Sequence, residues 1–313
     1  MSIFKLAPAC KNYIWGGQKL KTRYGKQSPD DIVAETWELS CHPAGMSVVA
    51  CGEYAGLTLP ELIRIRGRAI LGENCRRFLD FPILVKFIDA AGSLSVQVHP
   101  DNAYARTHEG QNGKTEMWVV MDCEPGSFLY FGFSRDVTRE ELARRIRENR
   151  LTEILNRVEV KKGDVFFIAP GTIHAIGAGI LIAEIQQSSD VTYRVYDFGR
   201  LGKDGKPREL HIEKALDVLK LAAEGPQADF GGHLGKCDYF VVDGLSVAGA
   251  KSDYADGSSF HALLFYEGAG EMRQGAETLP FRMGDCFFVE AGSGPYEVRG
   301  EGRYLKIRIP ARK

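Results

Sequence analysis

The chain lacks a surplus of either charge. Its 313 residues carry 40 Lys+Arg against 41 Asp+Glu, and no basic block stands out. A net charge of −1 offers little electrostatic basis for gripping a phosphate backbone, so no nucleic-acid partner is expected. No apolar run reaches about 18 residues, so no membrane span is expected. The opening MSIFKLAPACKNYIWGG has no apolar stretch of the secretory kind. Seven cysteines (10, 41, 51, 75, 123, 237 and 286) form no CxxC pair and are odd in number. A disulfide framework is therefore not expected, and the thiols read as reduced, small side chains of a cytoplasmic protein. Neither GxGxxG nor a Walker-type loop precedes a helix, which removes local support for nucleotide binding.

What the chain does have is glycine, 35 residues of it, punctuating short apolar runs. Segments 84–90, 94–100, 116–122, 164–170, 180–187, 192–198, 262–268, 285–291 and 304–310 are rich in Val, Ile, Phe and Tyr. Bounded by Gly, Pro or Asp, they read as strands. Helical spacing is confined to about 58–68, 138–156 and 211–222, the first with Thr58 as N-cap and Pro60 in the first turn. Strands interrupted by a few helices predict an all-β chain of sandwiches or barrels. GDVFFIAPGTIH (163–174) and GDCFFVEAGSGP (284–295) repeat one turn–strand–turn module. Two copies predict two related barrels: residues 1–235 with the three helical insertions, and residues 236–313. The second copy has Pro295 where the first has His174, so a metal-free second barrel is expected.

The chemistry concentrates in three stretches. In Ser95-Val96-Gln97-Val98-His99 strand alternation turns Gln97 and His99 to one face and the valines to the other. Glu116 opens a strongly apolar strand, where a buried carboxylate needs a partner. His174 follows a Pro-Gly turn. Two imidazoles and a carboxylate suit Zn2+, with Gln97 as a further oxygen ligand. His42, His108, His211, His233 and His261 lack such company and read as surface or packing residues. Lys114, two positions before Glu116, shares its face. Lys86 sits inside an apolar run as an inward cation, and Arg194 lies on a strand between Tyr193 and Tyr196. Asp190 is a candidate to orient Arg194 or a proton carrier, and Trp15 to cap a cleft.

Gln97-x-His99, Glu116 and Pro-Gly-x-x-His174 together resemble the zinc-dependent cupin site of type I phosphomannose isomerases. Segments 34–45, 84–101, 113–120, 163–177 and 188–200 also look like family segments, so the resemblance spans essentially the whole chain in its short bacterial form. It implies two cupin-type barrels, or jelly rolls, with short helical insertions. It also implies interconversion of mannose 6-phosphate and fructose 6-phosphate, with one zinc ion on Gln97, His99, Glu116 and His174. The family's catalytic arginine maps onto Arg194. Lys114-Thr115-Glu116 departs from the Lys-Pro-Glu of longer members, and their large helical insertion shrinks here to 138–156.

Moving a proton between C1 and C2 needs an electrophile for the enediolate and cations for the phosphate. Lys114 and Arg194 are the catalytic candidates; Lys86, Asp190 and Trp15 are candidates for contacting substrate. The base stays open among a lysine, a histidine and a zinc-bound water. Alternatives are a non-haem iron cupin oxygenase, since two His and a carboxylate also form a facial triad, and a non-catalytic sugar-phosphate-binding cupin. The expected assembly is a monomer or homodimer.

Overall fold

A computed structural model of the chain describes residues 2–202 and 205–312. Its strands, in chain order, begin with β1 (Ile3–Ala7), β2 (Ala9–Lys11), β3 (Glu35–Leu39), β4 (Val48–Val49), β5 (Ile83–Ala90) and β6 (Val96–Val98). Next come β7 (Glu116–Cys123), β8 (Phe128–Phe133), β9 (Leu155–Glu159), β10 (Val165–Ile168), β11 (His174–Ile176), β12 (Ile180–Gln187) and β13 (Tyr193–Tyr196). The last six are β14 (Gly235–Lys236), β15 (Val241–Ala255), β16 (His261–Gln274), β17 (Glu277–Arg282), β18 (Cys286–Val289) and β19 (Gly294–Arg308). Among the described residues five α-helices interrupt them: α1 (Lys19–Thr22), α2 (Leu59–Arg66), α3 (Asn102–His108), α4 (Arg139–Arg147) and α5 (Ile212–Val218).

Two sheets, β10-β7-β12-β5-β3-β2 and β13-β6-β11-β8-β9, close the first barrel. Its interior mixes Ile88, Trp118 and Ile182 from the one with Leu129, Phe131 and Ile176 from the other. The third sheet, β14-β15-β19-β16-β18-β1-β4 with β17 beside β16, curls into the second barrel around Val247, Phe265, Phe287 and Tyr304. The two-barrel, mostly β architecture expected from the repeat is what forms. Strands β5 and β12 are buried along their whole length, which explains their near-continuous apolar runs. One face fills the first barrel. The other, with Val85, Phe87, Leu181, Ala183 and Ile185, packs on Ala262, Leu264, Leu305 and Ile307 of the second. Each such side chain removed from water contributes on the order of 1.5–3 kcal/mol. The N-terminal strands β1 and β4 pair into the second barrel's sheet.

The three expected helices form in place, with differences at their ends, while α1 and α3 were not expected. Thr58 and Glu61 close a capping box on α2. Segment 138–156 is not one helix: α4 ends at Arg147, Asn149 takes φ 56°, a 3-10 turn covers Leu151–Ile154, and Leu155 already starts β9. A left-handed residue cannot continue a right-handed helix. Among the described residues all seven cysteines are free thiols, and no helix is long and apolar enough to cross a membrane.

Strand register makes the internal repeat quantitative. With 163–174 laid on 284–295, Ile168 coincides with Val289. The register partner of Ile168 is Glu116, and that of Val289 is His261. Two residues further on, Trp118 faces Glu184 where Leu263 faces Lys306. Beyond these, Glu184 pairs with Lys86 and Lys306 with Asp243. The lysine–glutamate pair in the wall of the first barrel has become an aspartate–lysine pair in the second.

Candidate metal centre

The first barrel's interior face carries the polar residues. Register puts His174 beside Gln97 and Gln97 beside Arg194, so strands β11, β6 and β13 turn these side chains to one side. Val96 and Val98 point the other way, into the apolar layer under α4 and α5. His99, Glu116 and His174 come together, each buried to 1% exposure or less. Their ligand atoms lie within 4.8 Å of one another. One carboxylate oxygen of Glu116 stands 3.5 Å from His99 Nε2 and the other 3.4 Å from His174 Nε2. Donors about 2.1 Å from one ion at tetrahedral angles would stand about 3.4 Å apart.

Second contacts orient each imidazole. His99 Nδ1 lies 2.9 Å from Val191 O, and His174 Nδ1 2.9 Å from Thr172 O. A proton on Nδ1 satisfies each carbonyl and leaves both Nε2 lone pairs aimed inward. Burial lowers the pKa of both histidines, that of His174 to about 4, so both are neutral donors near pH 7. Burial alone would raise Glu116, but the Lys114 ammonium leads the influences that outweigh it and hold the carboxyl well below its ordinary range. His99 Nε2 and the Glu116 oxygen facing His174 are buried without a hydrogen-bond partner, while the other Glu116 oxygen has the Lys114 ammonium beside it. Buried lone pairs aimed at one point in this way are what a divalent cation satisfies. Gln97 Nε2 lies 3.4 Å from His174 Nε2; a half-turn of the amide brings its oxygen to the same place.

Two charge clusters flank the triad. Lys114 Nζ is 2.8 Å from Glu116 and 3.8 Å from Glu184. Glu184 also binds Lys86 at 3.0 Å and accepts from Trp118 Nε1 at 3.0 Å, and Lys86 stands 3.6 Å from Glu35. Burial would lower Lys86, yet Glu184 and Glu35 overcome it and raise its pKa. Lys86 is thus a fully enclosed ammonium rather than one reaching to solvent. On the other side Arg194 donates from Nε to Ser95 Oγ at 3.2 Å and from Nη1 to Glu209 O at 2.9 Å. Burial and the charges of Arg208 and Arg200 lower its pKa. Those two arginines share the Asp197 carboxylate, Arg208 from Nε at 2.7 Å.

The expected residues Gln97, His99, Glu116, His174, Lys114, Lys86 and Arg194 all face this interior. Asp190 is apart, at the rim, 3.9 Å from His42 Nε2; the Arg194 side chain bonds Ser95 and Glu209 instead. Trp15 is 5% exposed and packs in the barrel interior against Tyr13, a wall rather than a loose cap. Sequence reasoning passed over Glu35, Glu184, Arg200 and Arg208. The first two could have been found as carboxylates inside apolar strands. His211, read as a surface residue, accepts from the Arg194 backbone N–H at 3.2 Å. An open hollow of about 350 Å³ between Gly270, Glu271, Thr278, Pro280, Arg299 and Gly300 shares no residue with this cluster.

Family models place the chain in known company. The model for phosphomannose isomerase type I, catalytic domain, matches residues 3–124. That for the mannose-6-phosphate isomerase cupin domain matches residues 232–309. Mannose-6-phosphate isomerase ManA of Bacillus subtilis is 38% identical, the match covering 94% of each chain. The mannose-6-phosphate isomerase of Streptococcus mutans is 46% identical over 90% of this chain and 82% of its own. A crystal structure of the Bacillus subtilis mannose 6-phosphate isomerase superposes with a TM-score of 0.91 at 33% identity, covering 98% of this chain and 99% of that one.

Proposed function

This chain belongs to the type I phosphomannose isomerase family, and we propose on that premise that it interconverts mannose 6-phosphate and fructose 6-phosphate with one zinc ion per chain. His99, Glu116 and His174 would hold the ion, with Gln97 as fourth ligand. The observation that carries this reading is the convergence of two neutral imidazoles on one buried carboxylate, their Nε2 atoms 3.5 and 3.4 Å from its two oxygens. When bound, the ion polarises the sugar's carbonyl and hydroxyl oxygens and stabilises the charge that develops between C1 and C2.

The chain's own groups supply the rest. Histidines committed to an ion have no lone pair left for a proton, so they drop out as the base. Lys114 is the group placed to carry the proton from one carbon to the other. Its ammonium leans on Glu116 at 2.8 Å, which holds its Nζ at the edge of the ligand cluster. Lys86 bonds Glu184 and lies beside Glu35, which holds Glu184 in place next to Lys114. Arg194, one strand away from Gln97, holds an oxygen of the enediolate. With Arg200 and Arg208 behind it, it also turns a cationic side toward the phosphate. Asp190 at the rim and Trp15 in the wall shape the entrance. Residues 1–235 form the catalytic unit; residues 236–313, completed by β1 and β4, form a supporting barrel without a metal.

Elemental analysis paired with a coupled assay on mannose 6-phosphate tests this. The expected result is one zinc per chain and loss of turnover on chelation. Lys114→Met should keep its zinc but lose about 100-fold or more in kcat. Full turnover without any divalent ion refutes the proposal.

A further inference from the structure

Lys114 sits on neither a helix nor a regular strand pair, yet three consecutive backbone N–H groups around it are tied down. Gly113 N donates to Asn102 Oδ1 at 3.0 Å. Lys114 N donates to Pro100 O at 3.0 Å. Thr115 N donates to Gln187 Oε1 at 2.9 Å. The two side chains are themselves linked, Gln187 Nε2 donating to Asn102 Oδ1 at 3.1 Å. Gln187 is 2% exposed, so its amide has no water to fall back on. A Cβ at Gly113 would stand 2.3 Å from the Asp101 carbonyl carbon, which shows how closely the strap lies on the turn between β6 and α3.

We infer that Asn102 and Gln187 are positioning residues of the isomerisation: their joined amides clamp the 113–115 strap and thereby fix where the Lys114 ammonium stands. The strap's amides would otherwise need solvent, and a lysine stem with its rotatable bonds would lose its fixed point of attachment. The clamp extends past the first barrel. Asn102 Nδ2 donates to the hydroxyl of Tyr239, a residue between β14 and β15 whose ring packs on Phe78 at 5.5 Å. The second barrel therefore reaches the reacting lysine through one phenol and one amide. This inference rests on the reading of Lys114 as proton carrier, and neither amide touches the substrate.

A double-mutant cycle separates the two. Gln187→Leu removes the acceptor for Thr115 N and the donor to Asn102. It should lower kcat about 10–100-fold with KM within about twofold and zinc content unchanged. Amide hydrogen exchange at Gly113 and Thr115 should quicken in the same variant. Asn102→Asp, which retains the acceptor for Gly113 N, should restore kcat to within about fivefold of wild type. In a Lys114→Met background Gln187→Leu should cost nothing further, because the lost group acts through the lysine. If Gln187→Leu does not fold, Asn102→Ala reads the clamp from its other half. An equal loss in both backgrounds, or slow exchange at 113–115 in the Leu variant, overturns the inference. Full kcat in Lys114→Met alone overturns the reading beneath it.

Discussion

The second barrel has a titration that can be read without any ligand. His261 is 5% exposed and donates from Nδ1 to the Tyr296 hydroxyl at 2.9 Å. That hydroxyl in turn donates to Asp253 at 3.0 Å, where Lys306 also bonds at 2.7 Å. Burial lowers the histidine to about 4; Lys306 and Arg308 push the same way, and Asp253 and Asp256 only partly offset them. A folded-state value depressed from 6.5 to about 4 means that the unfolded chain binds the proton first as pH falls. The stability this histidine contributes is present above about pH 6.5 and is lost on the way down to about pH 4. The full shift corresponds to roughly 3 kcal/mol, and the part lost between pH 7 and pH 5 to about 2 kcal/mol. Urea denaturation followed by far-UV circular dichroism at the two pH values, on zinc-loaded wild type and His261→Gln, measures it. All three tryptophans (Trp15, Trp37, Trp118) are in the first barrel, so fluorescence would miss the event. The variant should lose about 2 kcal/mol less than wild type. Parallel losses would show that His261 takes up its proton freely in the fold, and the reasoning would be wrong.

Arg194→Ala should keep its zinc and its fold but lose about 100-fold or more in turnover, read by elemental analysis beside the coupled assay. Unchanged kcat would remove the arginine from the reaction. Lys26 stands 2.6 Å from the buried Glu38 carboxylate and 2.5 Å from Gly284 O, joining the N-terminal segment to the second barrel. Lys26→Met should cost roughly 3–5 kcal/mol in urea denaturation, because it strands a buried acid; Lys26→Met with Glu38→Met should recover much of it.

Much of the candidate metal cluster was legible because strands have a period of two. That period aligned Gln97 with His99 and Lys114 with Glu116, and the Gly and Pro turns placed His174 at a strand's start. The three-dimensional convergence of β6, β7 and β11 follows from closing a barrel, which one-dimensional spacing does not encode. The pairing of β1 with β18 joins segments nearly a chain length apart, so no local pattern announces it. Helix α3 is short and begins at Asp101, whose side chain accepts from Tyr104 N at 2.9 Å; after His-Pro its apolar content is too low for a periodic signal. Arg200 and Arg208 carry no sequence pattern that sets them apart from other charged residues. Only the fold shows that both lean on one carboxylate beside Arg194. Gln187 was hidden for the opposite reason: at the end of an apolar strand an amide reads as the onset of a turn.

The exchange of charge between the two barrel walls has a consequence for anyone wishing to build a second zinc centre into the chain. Swapping His261 for a carboxylate would not suffice, since Lys306 already bonds Asp253 there and Arg308 already bonds Asp243. Lys306 and Asp243 would have to be traded together, because changing one alone sets like charges side by side. Such paired changes are seldom crossed one step at a time. The wiring of the second barrel's wall would therefore stand against such a centre as much as the proline at position 295 does.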